Sequence, residues 1–149
     1  MKKLFIYYSL TGNGDIISDY LKEKNIEIRK VITREPLPKG KIMRILAGGF
    51  LAGINHCDKL DNFNCDIREY DDIIIGTPIW NGRPSCPINT VLKSIDLTNK
   101  NITFILYSGS GNAPKTEEYI NKNYSSAKII NIKEPKKNKE LLVTLLGDI

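Results

Sequence analysis

Short runs of β-branched and aromatic residues alternate along this chain with longer stretches whose apolar residues fall at helical spacing, and that alternation constrains the fold more than any other feature. A strand covered on both faces of a parallel sheet reads as a near-continuous apolar run, and the connection to its parallel neighbour needs a crossover helix. Leu4-Phe5-Ile6-Tyr7-Tyr8 and Asp72-Ile73-Ile74-Ile75-Gly76 are runs of this kind. The second is expected to be the central strand and to stop at Thr77-Pro78, because proline donates no ladder hydrogen bond. Ile102 to Tyr107 and Ala127 to Ile132 supply two more strands. Ile26 to Ile32 alternates apolar with charged residues, as an edge strand with one wet face does.

The intervening segments carry helical stripes: Ile16, Ile17, Tyr20 and Leu21; then Ile42, Ile45, Leu46 and Phe50 within Lys39 to Ile54. Gly48-Gly49 weakens the latter by about 1 kcal/mol per glycine. Ile88, Val91, Leu92 and Ile95 follow Ser85 as a cap and Pro87 in the first turn. A short helix from Pro114 to Asn123 and a closing one through Leu141, Leu142, Leu145 and Leu146 complete the set. The 149 residues contain no linker, repeat or low-complexity block, so one domain spanning 1–149 is expected. Five strands alternating with five helices predict an α/β fold: a doubly wound, five-stranded parallel sheet of order 2-1-3-4-5 with helices on both faces.

Open sheets of this kind bind ligands outside the carboxyl ends of the strands, where the strand order reverses. The loops after strands one, three and four should therefore build the site. The first, Ser9-Leu10-Thr11-Gly12-Asn13-Gly14, combines hydroxyls, glycines and backbone amides at a helix N-terminus, a nest that can hold a phosphate without Lys or Arg. The Gly-x-x-x-x-Gly-Lys-Ser/Thr signature of an NTPase is absent, and so is the cation that phosphoryl transfer needs. The second, Thr77-Pro78-Ile79-Trp80-Asn81-Gly82, sets an indole beside the crevice, where stacking on a planar ligand contributes about 0.5–1.5 kcal/mol beyond area burial. The third, Ser108-Gly109-Ser110-Gly111, can lie along a ligand's edge with backbone donors and acceptors. The structural alternatives are a helix-capping turn for the first loop and a core tryptophan for the second.

These residues resemble a known family. Ser9-Leu10-Thr11-Gly12-Asn13-Gly14 is similar to the phosphate loop of flavodoxins, Ser/Thr-x-Thr-Gly-Asn-Thr, and Ile75-Gly76-Thr77-Pro78-Ile79-Trp80 is similar to their Gly-x-Pro-x-Trp segment. The order of strands and loops extends the likeness over essentially the whole chain. The resemblance implies FMN, held non-covalently: Ser9, Thr11, Gly12, Asn13 and Gly14 at its phosphate, Thr77 to Gly82 flanking the isoalloxazine, and Ser108 to Gly111 at the other edge. Gly14 departs from the family's Thr, and the third loop lacks the aromatic that many flavodoxins stack there, which would leave one ring face open. The implied function is an electron carrier between partner enzymes, with no catalytic side chain and no metal, since the cofactor itself does the chemistry. The alternative is an FMN-dependent NAD(P)H oxidoreductase acting on a quinone or another small acceptor. A non-redox receiver-like signalling domain would need acidic residues for Mg²⁺ after the first strand, where the chain has Tyr7-Tyr8-Ser9; Asp71-Asp72 precedes the third strand, at the opposite end of the sheet. Cys86-Pro87-Ile88 lacks the arginine-closed anion loop of a phosphatase.

With 22 Lys+Arg against 17 Asp+Glu the formal net charge is +5, which raises nucleic acid as a partner. The lysines cluster at Lys2-Lys3, between Lys22 and Lys30, and from Lys133 to Lys139, without the interleaved aromatics of a base-stacking platform, so they read as solvated surface. The expected partners are instead a redox protein with an acidic docking face or NAD(P)H, for a chain that is a monomer or a homodimer. Three cysteines, Cys57, Cys65 and Cys86, fit a reducing compartment, and His56 beside Cys57 does not make a zinc site. No apolar stretch approaches the ~18 residues of a membrane span. A soluble, cytoplasmic protein is expected.

Overall fold

The computed structural model describes residues 1–34 and 59–149. The helix expected between Lys39 and Ile54 lies outside the described residues, as do His56 and Cys57. The elements are β1 (Lys3–Tyr7), α1 (Asn13–Lys22), β2 (Glu27–Lys30), β3 (Asp72–Trp80), β4 (Arg83–Pro84), α2 (Cys86–Ser94), β5 (Asn101–Ser108), α3 (Pro114–Asn123), β6 (Lys128–Lys133) and α4 (Glu140–Leu146). Five strands pair in parallel in the order β2-β1-β3-β5-β6, and the short β4 folds back antiparallel on the end of β3. With β4 set aside, this is the expected 2-1-3-4-5 order.

Successive strand residues point to opposite faces, so each apolar run feeds two cores at once. Leu4, Ile6, Ile73, Ile75, Phe104 and Leu106 pack with Ile88 and Val91 of α2 and Ile120 of α3. Phe5, Tyr7, Ile74, Ile105 and Tyr107 pack with Ile17 and Leu21 of α1 and Leu142 and Leu146 of α4. Gly76 belongs to this second face: a Cβ there would lie 2.6 Å from Phe5 Cζ, so the glycine makes room for an aromatic ring within the core. It does not open the backbone to a ligand.

The central strand does not stop at Thr77-Pro78; β3 runs on to Trp80, with Pro78 opposite Tyr107 of β5. The Gly76 carbonyl accepts from the Tyr8 N–H, which puts the even-numbered groups of β3 on the β1 side, where β1 has ended at Tyr7 by the level of Pro78. The missing proline donor therefore costs no ladder bond. Ile79 to Arg83 is likewise a tight hairpin and not an open loop: Trp80 pairs with Arg83 around Asn81 (φ 50°) and Gly82 (φ 72°). Two successive residues with positive φ make the type I′ turn that Asn-Gly favours, because its twist matches that of the flanking strands. The edge strand β2 is shorter than expected; Ile26 and Val31 lie buried just outside its ends, and the Val31 N–H still donates to the Tyr7 carbonyl at 2.7 Å.

Candidate functional site

β1 lies between β2 and β3, and the connections leaving it and β3 go to opposite faces of the sheet. This is the strand-order reversal, and the first loop sits at it. Gly12 is the N-cap of α1 with φ 91° and ψ −3°, and it offers no side chain to the helix end. The first helical hydrogen bond runs from the Ile16 N–H to the Gly12 carbonyl at 3.2 Å. The amides of Asn13, Gly14 and Asp15 precede it and have no acceptor within the helix. Asn13 Nδ2 donates weakly to Thr11 Oγ1 at 3.4 Å. Ser9 Oγ is buried and makes no hydrogen bond of acceptable geometry to a described residue, although it lies near enough to Asp15 to favour the ionised carboxylate. Uncapped amides and an orphaned buried hydroxyl on one loop fit a bound anion such as a phosphate.

Gly14, the departure noted in the motif, has a steric origin. A Cβ there would stand 2.7 Å from Tyr107 Oη, 2.8 Å from Tyr7 Cδ2 and 3.1 Å from Ser9 Cβ. Tyr107 is fully buried and donates its hydroxyl to the Tyr8 carbonyl, and burial holds its pKa well above the ordinary tyrosine value. The phenol thus occupies the space that a threonine at 14 would need, and fastens the end of β1 to β5.

Charge around the loop is arranged in two sets. Asp15 accepts from Tyr7 Oη at 2.9 Å and from Lys30 Nζ at 2.6 Å. Its partial burial opposes ionisation, but these bonds outweigh it and hold the carboxyl below the usual range. Burial in turn pushes the Tyr7 phenol up to about 12. The acid nearest in sequence to the amides is thereby compensated. The second set corrects the expectation that cations stay away from the site. Each loop has one glycine at positive φ, and each of those packs against a lysine from another segment: Gly12 against the stem and ammonium of Lys136, Gly82 against the stem of Lys115, and Gly111 against the root of Lys133. Nζ of Lys136 is 3.6 Å from where a Cβ of Gly12 would stand. Sequence reasoning missed these lysines because they lie outside the motifs; the cluster at 133–139 was visible, but only the path of the connection from β6 to α4 brings it beside the first loop.

The second loop is more structural than its composition implied. Thr77 is fully buried, and its Oγ1 accepts the Ser85 N–H at 3.0 Å and donates to the Pro78 carbonyl at 3.0 Å. Ser85 precedes α2 but makes no side-chain cap, its hydroxyl lying 3.2 Å from Thr77 Oγ1 instead. Trp80 is 9% exposed and meets Tyr8 edge-on, with ring centroids 5.8 Å apart. Pro78 and Ile79 are half-buried, whereas Asn81 is exposed at the turn. The Gly82 carbonyl accepts from Thr116 Oγ1 at 2.9 Å, which docks the hairpin on α3.

In the third loop the Gly111 N–H donates to Ser108 Oγ at 2.9 Å, and Ser110 Oγ donates to Asn112 Oδ1 at 3.0 Å, so its hydroxyls shape the loop. Gly109 has open space around it. A cavity of about 540 Å³ opens beside the hairpin, between α2 and α3, lined by Arg83, Asn89, Lys93, Lys115, Tyr119 and Tyr124 among others. It adjoins the three-loop site at Gly82 and is not part of the first loop. Among the described residues no group of His, Cys, Asp and Glu could hold a metal, Cys65 and Cys86 are free thiols, and no helix is long and apolar enough to cross a membrane.

Fold and site together define a doubly wound α/β fold with an uncapped amide cluster at the switch point of its sheet. A flavodoxin family model matches residues 56–143, and the chain belongs to that family. No curated protein matches it. A flavoprotein from Lactobacillus acidophilus NCFM, solved in complex with FMN, is 21% identical and superposes with a TM-score of 0.67, covering 93% of this chain and 97% of its own. A candidate flavoprotein from Bacteroides eggerthii, at 19% identity, gives a TM-score of 0.71 over 97% of this chain and 98% of its own. The apo form of the Lactobacillus protein, solved by NMR, gives 0.56 at 22% identity over 87% of this chain and 89% of its own. At such identities the likeness is one of fold.

Proposed function

We propose that this protein binds FMN non-covalently at the three loops and carries electrons between partner enzymes. The observation that carries the reading is the uncapped amide cluster at Gly12 to Asp15, set at the sheet's switch point with the unpartnered Ser9 hydroxyl beside it. In this reading Ser9, Leu10, Thr11, Gly12, Asn13 and Gly14 hold the phosphate through backbone amides and hydroxyls. Pro78, Ile79, Trp80, Asn81 and Gly82 border the ring on one side, with Thr77 bracing the hairpin from within. Ser108, Gly109, Ser110 and Gly111 border it on the other. Bound flavin would supply the electron chemistry; the protein positions it and sets the charge around it.

The purified protein should be yellow or turn yellow with added FMN, with the flavin fluorescence quenched. Gly12→Asp should abolish uptake, because it combines positive-φ strain with a carboxylate at the amides. A colourless protein that takes up no FMN would refute the reading.

The cavity beside Gly82 favours a second reading, an NAD(P)H-dependent FMN oxidoreductase, since it offers a small molecule a place next to the proposed ring site. Anaerobic mixing of the FMN-loaded protein with NADH or NADPH separates the two. Rapid bleaching supports the enzyme, and persistent colour supports the carrier.

A further inference from the structure

The lysine over the first loop rests on the flavin reading and extends it. Lys136 follows β6, and its backbone N–H donates to Asn13 Oδ1 at 3.0 Å, which fixes the root of the side chain against the loop. Its Cδ and Nζ lie 3.8 Å and 3.6 Å from the position a Cβ of Gly12 would take, so the stem runs along the glycine and the ammonium reaches the loop's mouth. Among the described residues no carboxylate pairs with it: Asp15 is bonded to Lys30 and Tyr7, and Glu134 to Lys137 at 2.6 Å. The side chain is otherwise exposed.

We infer that Lys136 is a specificity-determining residue of this site, pairing its ammonium with the terminal phosphate so that charge, as well as amide hydrogen bonding, selects FMN over riboflavin. Amides alone contribute partial charges, whereas a phosphate monoester carries about −1.5 to −2 at neutral pH. A cation at the loop's mouth compensates part of that charge. Its hydrogen bond is charge-assisted, roughly twice as strong as a neutral one. Gly12 also becomes selective in a second way: besides tolerating φ 91°, it leaves the strip along which the lysine stem lies.

Flavin-fluorescence titrations of the flavin-free full chain with FMN and with riboflavin test this, comparing wild type with Lys136→Met and Lys136→Arg. Methionine keeps the stem and the backbone bond to Asn13. The expected result is that Lys136→Met weakens FMN about tenfold, leaves riboflavin affinity unchanged, and flattens the dependence of FMN binding on salt. Lys136→Arg should restore most of the FMN affinity. Equal FMN affinity in wild type and Lys136→Met, or a parallel loss of FMN and riboflavin, overturns the assignment while the flavin site stands. A wild-type protein that binds neither flavin overturns the reading beneath it as well.

Discussion

Gly14 shows how a single position can read as a missing contact and turn out to be a packing requirement. The family's threonine hydroxyl is absent because Tyr107 Oη, Tyr7 and Ser9 already fill the volume around the Cα. Gly14→Thr should therefore lower stability by about 1–3 kcal/mol, the cost of forcing atoms into a packed site, and should not improve phosphate binding. Urea unfolding checks the first part, and flavin titration the second. Thr77 makes a related point. Its hydroxyl bonds the buried Ser85 N–H, so Thr77→Val should cost about 1–3 kcal/mol for an unsatisfied donor at the start of α2. A variant as stable as wild type would show that Ser85 finds another acceptor.

At the scale of elements, the hairpin and the first turn of α1 hold left-handed backbone and a charged tie between elements. Asn81 and Gly82 both sit at positive φ, and Gly82 is also closed in by the Lys115 stem, 3.2 Å from a Cβ placed there. Gly82→Ala should destabilise by about 1–2 kcal/mol through left-handed strain alone. It should also loosen the docking of the hairpin on Thr116 of α3. Asp15 ties α1 to β1 and β2 through Tyr7 and Lys30, and its folded pKa is depressed. A depressed carboxylate stabilises the fold above its unfolded pKa, and that stability is lost as pH falls through the folded value. The protein should therefore weaken below about pH 4, and Asp15→Asn should be less stable than wild type at neutral pH but lose less on acidification. Thermal melts across pH 2–7 would reveal parallel curves if the tie contributes nothing.

For the molecule as a whole, the consequence of the +5 charge changes once the lysines have positions. The stems of Lys115 and Lys133 lie against the second and third loops and the ammonium of Lys136 lies beside the first, so at least one charge of the cationic excess stands at the proposed phosphate site and not on remote solvated surface. Electron transfer to a partner with an acidic face should slow as salt rises, because screening shortens the reach of these charges to about 8–10 Å at 0.1–0.15 M ionic strength. Stopped-flow rates independent of salt would remove electrostatic docking from the account.

Much of this architecture was legible in the residues. Apolar runs mark strands because a two-faced sheet requires them, and the parallel order follows from helices between them; the period-two division of Leu4 to Tyr107 into two cores needs no coordinates. The glycine- and hydroxyl-rich stretches after β1 and β5 were legible as turns at the carboxyl ends of their strands, since Gly, Ser and Asn supply the conformations and local hydrogen bonds that turns need. Pro78 was misread because a proline's cost depends on which neighbour its nitrogen faces, and that depends on where β1 ends. Asn81-Gly82 carried a hairpin signal in plain view, masked by the expectation of a loop. The space at Gly14, the burial of Thr77 and the lysines over the glycines lay beyond local reading. Sequence by itself determined the sheet, its order and the loops that meet at its carboxyl edge, because these follow from local periodicity and chain connectivity. Only tertiary structure decided which side chains those loops receive from elsewhere, because Tyr107 and Lys136 reach residues 14 and 12 across long crossovers whose register is set by packing.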